Sequence, residues 1–192
     1  MTVSRISTAL LAVQLALVSS IAAKYLYERQ TCPRVWTRAV AYDPSLIMRG
    51  RYLSIQLRID ACGIRPHLAK DQPMTPEDNE TLYFADQNGN MMGQLPIIVG
   101  VQNGRLAALR IEYDEANHIS QDMTIQRKAR CSEALLQQPT DFYISESAQS
   151  PFPLAKGAEL WVEVTIPPLG PPRPLALAIK SSNGHWQPLN YR

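Results

Sequence analysis

The sequence predicts a mainly β protein, a small antiparallel β-sandwich or barrel-like domain that follows an N-terminal transmembrane helix. An uncharged stretch of eighteen residues, 6–23, lies near the start. Several later segments alternate apolar and polar residues between turn signals, and the fifteen prolines of the chain argue against long helices in its body. We therefore assign residues 1–30 to a signal anchor and residues 31–192 to a single β-rich extracytoplasmic domain, whose length suits one hydrophobic core.

The uncharged stretch has the length of a membrane span. As a helix, residues 6–23 would be about 27 Å long, close to the ~30 Å hydrocarbon thickness of a bilayer. Cleaved signal sequences usually have a shorter apolar core. We expect these residues to stay in the bilayer as an uncleaved anchor. The alternative is secretion after signal cleavage, because Ser20 and Ala22 would allow a cut before Ala23.

The first two strands are predicted on either side of a turn. Residues 34–42 favour β structure and end at the turn signal Asp43-Pro44. In residues 52–60 every second position is apolar, which predicts a strand with one buried face; these positions are Leu53, Ile55, Leu57 and Ile59. We expect the two strands to pair around position 47.

The middle of the chain contains the strongest local signal. Residues 97–102 and 105–111 flank Asn103-Gly104, and an Asn-Gly pair between apolar runs predicts a β-hairpin with a type I′ turn. Further on, residues 133–137 are predicted as a short helix that ends before Pro139.

The C-terminal part repeats the strand pattern. Residues 160–166 alternate apolar and polar side chains, residues 167–172 form a proline-rich link, and residues 175–179 alternate again. Asn183-Gly184 then predicts a turn. Seven or eight short strands separated by turns are typical of an antiparallel sandwich or barrel.

The three cysteines, Cys32, Cys62 and Cys131, form no CxxC pair and have no histidines at zinc spacing. In an oxidising compartment we expect two of them to form a disulfide. Pairing of the first two strands around position 47 would place Cys32 opposite Cys62, and a bond between Cys62 and Cys131 remains open. This cysteine usage favours a domain outside the cytoplasm.

No catalytic, metal or cofactor site is predicted. The three histidines, His67, His118 and His185, lie far apart in predicted loops, whereas a metal site needs several converging ligands. The sequence contains neither a phosphate-binding loop motif nor a nucleophile elbow. The formal net charge of +2 is too small to predict binding to nucleic acid.

Residues 41–52 resemble a known family. They contain Asp43-Pro44 and, further on, an Arg-Gly pair whose glycine, Gly50, lies two residues before Tyr52. In this order they resemble the GDYxxLxY family of membrane-anchored bacterial proteins, and Gly50 and Tyr52 match the motif that names the family. Gly50 would allow an unusual backbone conformation at the strand entry, and Tyr52 would pack and bind backbone through its hydroxyl. A ligand-binding loop is the alternative role.

The chain departs from the family pattern at three motif positions: Arg51, Ile55 and Leu57. A second segment, residues 141–146, resembles the family's aromatic-x-Pro-Glu element through Tyr143 and Glu146, with Ser145 in place of proline. The resemblance implies a divergent member with an anchor, a β-rich body and a place in the bacterial envelope. It implies no catalytic residues.

We therefore expect a non-enzymatic accessory or binding module. It would be a single-pass protein of the bacterial inner membrane with its body in the periplasm, and its partners would be the lipid bilayer, through residues 6–23, and another membrane protein or a small ligand. The alternative is a serine envelope peptidase resembling signal peptidase, which needs a serine nucleophile and a lysine base. In that alternative the expected serine position holds Tyr42, and Ser45 is displaced. The lysines available, Lys70, Lys128, Lys156 and Lys180, lie in no recognisable motif.

Overall fold

The computed structural model describes residues 5–42, 52–64, 94–111, 123–126, 130–145, 150–168 and 170–191. The chain forms two compact units, Met1–Cys32 and Pro33–Arg192.

The first unit is a single long helix, α1, which spans Arg5–Thr31. Its 27 residues correspond to about 40 Å, and its segment Ser7–Thr31 is long and apolar enough to cross a membrane. The helix continues beyond the uncharged stretch. Lys24 and Glu28 lie one turn apart with Nζ and Oε1 separated by 3.8 Å, and Arg29 lies in the last turn, where a cation is favoured by the helix dipole.

The second unit is built from ten described strands. They are β1 (Arg34–Ala41), β2 (Tyr52–Ile59), β3 (Gln94–Gln102), β4 (Arg105–Ile111), β5 (Thr124–Gln126), β6 (Ala134–Leu135), β7 (Thr140–Tyr143), β8 (Glu159–Thr165), β9 (Arg173–Lys180) and β10 (Trp186–Leu189).

These strands form two antiparallel sheets. The larger sheet has the order β10-β9-β8-β1-β2, and β6 and β7 both pair with the outer edge of β2. The smaller sheet has the order β4-β3-β5. Neither sheet closes into a barrel, so the mainly β prediction is confirmed in its two-sheet form. The larger sheet nevertheless curls. Its two ends in the strand order come together where Phe142 on β7 packs against Tyr191 beyond β10, with ring centroids 6.4 Å apart.

The pairing of β1 with β2 is close to the prediction. Ala39 lies opposite Leu57 and Ala41 opposite Ile55, so the pair is centred on position 48 rather than 47. Each residue of β1 thus lies opposite a β2 residue two positions further along than predicted. A shift of two residues keeps every side chain on its predicted face of the sheet.

The predicted β3–β4 hairpin is confirmed. Gln102 pairs with Arg105, and the two turn residues between them have positive φ angles, 52° at Asn103 and 71° at Gly104. These angles match a type I′ turn, which asparagine and glycine tolerate. In the second predicted turn, Gly184 has a φ of 83° and its N–H donates to the Ser181 carbonyl at 2.8 Å.

One hydrophobic core lies between the two sheets. It combines the alternating side chains of β2 with those of β3, β4 and β8, and it contains no residue of α1. Leu57 from the larger sheet and Ile97 and Leu106 from the smaller one are almost fully buried. Two isolated bridges, Asp60 with Ala107 and Ile125 with Leu136, join the sheets at one end. The second unit therefore has a complete core of its own.

The predicted helix at residues 133–137 is wrong. A single 3-10 turn, Cys131–Glu133, is followed directly by β6. Ala134 and Leu136 are buried, and the Leu136 N–H donates to the Leu57 carbonyl at 3.0 Å. Pairing with β2 therefore overrides the local helical preference.

The disulfide joins Cys62 and Cys131, with Cα atoms 4.7 Å apart, and Cys32 keeps a free thiol. The Ala61 N–H donates to the Cys131 carbonyl at 2.8 Å, which holds the two backbones together. Cys32 still donates its N–H to Glu28 at the end of α1. We expected strand pairing to place Cys32 opposite Cys62. The pairing does not extend to Cys32, because β1 begins only at Arg34.

Candidate functional site

The larger sheet has an outer face, opposite to the core, on which aromatic and charged side chains are ordered in rows. Directly opposite residues of antiparallel strands point to the same face. Arg38, Trp161 and Ala178 form one such row across β1, β8 and β9. Trp36 and Glu163 form the next row, which continues to Ala176 on β9.

All three tryptophans of the protein meet on this outer face. We call Trp36, Trp161 and Trp186 the tryptophan cluster. The Trp36 and Trp186 rings are 5.1 Å apart and nearly perpendicular, and the Trp161 and Trp186 rings are 5.5 Å apart. Aromatic contacts of this kind stabilise by about 0.5–1.5 kcal/mol each beyond their burial. The core and the partly buried hydrophobic residues packed on it include none of the three.

Small residues on β9 allow the cluster to form. Trp186 lies on β10, and β9 separates that strand from β8, which carries Trp161. Ala178 on β9 is fully buried, although it is not a member of the core. Its register partners are Trp161 and Pro188, so its methyl group lies on the outer face. The burial of Ala178 is what an aromatic cover over β9 would produce, and Trp186 itself stays 37% exposed.

Beside the tryptophan cluster lies a network of ion pairs formed by Arg38, Arg58, Glu133 and Glu159. The Arg58 Nη1 donates to Glu133 Oε2 at 2.8 Å, and Arg38 donates to both glutamates, with 3.2 Å to Glu159 Oε1. All four side chains are about one-third exposed. The hydrogen bond from Arg38 lowers the pKa of Glu133 against an opposing effect of burial. Burial opposes the charge of Arg38, but its bonds to the two glutamates raise the pKa of Arg38.

Glu159 connects this network to the tryptophan cluster. Its Oε2 accepts a hydrogen bond from Trp161 Nε1 at 3.0 Å, while its Oε1 accepts from Arg38. Lys180, the register partner of Glu159, places its Nζ 5.6 Å from the centre of the Trp161 ring. The orientation of Trp161 is thus set by a hydrogen bond at its edge and a cation at its face.

Glu163 differs from these glutamates. It lies between Trp36 on β1 and Ala176 on β9 and is half-buried. Within the residues that the structure describes, no hydrogen bond or ion pair involves its carboxylate. Glu163 therefore presents a carboxylate without a described ion pair beside an indole ring, and the adjacent row of the sheet carries Arg34 and Arg173 on either side of Thr165.

A second aromatic area lies at the other end of the outer face. Tyr52 and Tyr143 are directly opposite on β2 and β7, and Tyr143 is 77% exposed. The Tyr42 N–H donates to the Ser54 carbonyl at 3.2 Å, which brings Tyr42 to the same end. The structure thus brings together two residues of the family-like motif, Tyr52 and Tyr143. The other motif residues, Asp43, Pro44, Gly50 and Glu146, fall outside the described residues.

The residues considered for peptidase chemistry do not form a described site. Ser45, Lys70 and Lys128 lie outside the described residues. Lys156 is exposed in a turn, and Lys180 lies over Trp161.

A polar depression of about 430 Å³ lies next to the disulfide. It is lined by Asp60, Cys62, Gly63, Gln102, Asn103, Arg105 and Ala107. Asp60 Oδ1 accepts a hydrogen bond from the Cys62 N–H at 3.0 Å, so this carboxylate is used to shape the turn. Among the described lining residues, none is a serine, histidine or lysine that could act as a nucleophile or as its base, and the cysteine is oxidised.

The described part of the chain holds no group of three or more histidine, cysteine, aspartate or glutamate side chains that could bind a metal ion. His185 lies exposed in the β9–β10 turn, where its N–H donates to Asn183 Oδ1 at 3.0 Å. His67 and His118 fall outside the described residues.

No protein-family model matches the chain, and neither a curated protein nor a solved structure shows significant similarity to it. The resemblance to the GDYxxLxY family stays a prediction.

The tryptophan cluster was missed at the level of sequence, although part of its signal was present. In the alternating strand that contains it, Trp161 lies at a position whose side chain faces away from the core, between the buried Leu160 and Val162. The same holds for Trp36 between Val35 and Thr37. A tryptophan at a strand position that alternates with buried residues indicates an outward-facing aromatic side chain.

Proposed function

We propose that this protein is a membrane-anchored, non-enzymatic binding module of the bacterial envelope. In this proposal α1 is the anchor in the inner membrane, the β domain faces the periplasm, and the outer face of the larger sheet binds another envelope protein. The observation that carries the proposal is the clustering of all three tryptophans on that face rather than in the core.

Tryptophan is enriched among the residues that dominate protein–protein binding energy. An aromatic cluster with a polar rim has the composition typical of the centre of an interface. Here the rim is the arginine–glutamate network, which Glu159 joins directly to Trp161. The disulfide between Cys62 and Cys131 supports an oxidising compartment, and α1 supports attachment to a membrane.

Site-specific photo-cross-linking in living bacteria tests the binding role. The full chain would carry a photoreactive aromatic amino acid at position 186, whose ring contacts both other tryptophans and is 37% exposed. The matched control carries it at position 187, the next residue on β10, whose register partner is Ile179 rather than Lys180. We expect a discrete adduct with one envelope protein from position 186 and none from position 187. The absence of an adduct at 186, or identical adducts at both positions, would contradict the proposal.

Thiol labelling with membrane fractionation tests the location. We expect the full-length chain in the membrane fraction, with Cys32 labelled directly and the Cys62–Cys131 pair labelled only after reduction. Direct labelling of all three cysteines in intact membranes would place the domain in a reducing compartment and refute the periplasmic orientation.

A further inference from the structure

Glu163 and the tryptophan cluster together define the chemistry of the partner. We propose that the surface formed by Glu163, Trp36 and Trp186 binds a cationic side chain, lysine or arginine, of the partner protein. This inference rests on the proposed binding function and specifies what the outer face recognises.

The first argument is the charge of Glu163. The other two glutamates described on this part of the face, Glu133 and Glu159, are compensated by Arg38 and Arg58. Glu163 is half-buried, and among the residues that the structure describes its carboxylate has no cationic or hydrogen-bonding partner. A cation in direct contact with this carboxylate is therefore electrostatically favoured, whereas Arg34 and Arg173 lie one row further along the sheet.

The second argument is the aromatic surface beside that charge. Trp36 is the direct register partner of Glu163 on β1, and its ring contacts that of Trp186. Indole faces attract ammonium and guanidinium groups, most strongly among the aromatic side chains. The protein already shows this attraction once, since Lys180 Nζ lies 5.6 Å from the Trp161 ring centre.

The third argument is space. On the side of Glu163 away from Trp36, the register partner is Ala176 on β9. A single methyl group there leaves room beside the carboxylate, whereas Glu159 has the long side chain of Lys180 in the corresponding place. The register thus places a carboxylate between an aromatic residue and a small one, which suits the end of a long cationic side chain.

The test uses the full chain in lipid nanodiscs, labelled with nitrogen-15 in its tryptophans. Because all three tryptophans belong to the cluster, every indole N–H signal reports on this surface. The probes are the blocked tripeptides Ala-Lys-Ala and Ala-Glu-Ala and the neutral sugar chitotriose. We expect Ala-Lys-Ala to shift the Trp36 and Trp186 signals in a saturable way and the other two probes to leave them unchanged.

Two variants separate a specific site from general attraction. Glu163→Gln keeps the shape of the side chain and should weaken Ala-Lys-Ala binding by about fivefold, as expected for a partly exposed charge pair. Asp141→Asn removes an exposed carboxylate from β7, which pairs with β2 at the other end of the strand order from β10, and should leave the affinity unchanged. The indole signals also show directly whether each variant is folded.

The inference would be overturned by the absence of a saturable shift with Ala-Lys-Ala, by equal shifts with Ala-Glu-Ala, or by equal weakening in the two variants. Shifts caused by chitotriose in place of the lysine peptide would also overturn it and indicate a carbohydrate surface. If position 186 still cross-links to an envelope protein while the lysine peptide does not bind, the binding function stands and the cation inference fails. If the peptide binds but no adduct forms in cells, the proposed function fails instead.

Discussion

Removal of the Cys62–Cys131 disulfide should lower the free energy of unfolding of the β domain by about 4 kcal/mol. The perturbation is the double substitution Cys62→Ala/Cys131→Ala. The bond closes a loop with a sequence separation of 69 residues, which includes the smaller sheet. In the chain-entropy account, a loop of this length corresponds to about 4 kcal/mol at room temperature. Because whole domains are commonly stable by only about 5–15 kcal/mol, the effect should be large.

The assay is urea unfolding of the full chain in mild detergent, followed by tryptophan fluorescence. The helix α1 contains no tryptophan, so the signal comes from the β domain alone. Cys32→Ala is the matched control, since it removes a thiol without removing the bond. Reductant should bring the wild-type unfolding midpoint down to that of the double variant and leave the double variant unchanged.

Equal midpoints for the wild type and the double variant would refute the reasoning. That result would mean that the loop closed by the bond is already restricted in the unfolded chain, or that the bond does not form. A lower midpoint for Cys32→Ala would instead mean that Cys32 takes part in the stabilising bond.

Three further outcomes are expected from the same unfolding measurements. Leu57→Ala should lower the free energy of unfolding by about 3 kcal/mol, because it leaves a cavity in the shared core. Gly104→Ala should cost about 1 kcal/mol at a φ of +71°, whereas Gly63→Ala, with no positive φ and its nearest contact at 3.5 Å, should be nearly neutral. Glu133→Gln should be destabilising at neutral pH by no more than about 1 kcal/mol. Because hydrogen bonding lowers the folded-state pKa of Glu133, this contribution is complete above its unfolded-state pKa and should disappear as the pH falls through the lowered value. A difference between Glu133→Gln and wild type that persists unchanged at pH 3 would contradict this account.

Features with local causes could be predicted from the sequence. The type I′ turn depends on two adjacent residues, Asn103 and Gly104, and it forms where predicted. The alternation in β2 gives the buried face correctly, and the β1–β2 register differs from the prediction by an even step that keeps the faces.

Features with distant causes could not be predicted in the same way. The strand β6 has two residues and exists because of its pairing with β2, so local preference favoured a helix instead. The tryptophan cluster combines β1, β8 and β10, which are brought together only by the strand order of the larger sheet. The partner of Cys62 could not be predicted, because the sequence does not show that α1 continues to Thr31, next to Cys32.

The position of β1 in the middle of the larger sheet has a consequence for synthesis. One of its neighbours, β8, ends at Thr165, which pairs with Arg34 at the start of β1. At ordinary translation rates the ribosome needs on the order of ten seconds to make the intervening chain. Throughout that interval β1 has one open edge, through which it can pair with another nascent copy. The larger sheet can therefore be completed only after β8 has been made, and until then the open edge of β1 favours pairing between copies.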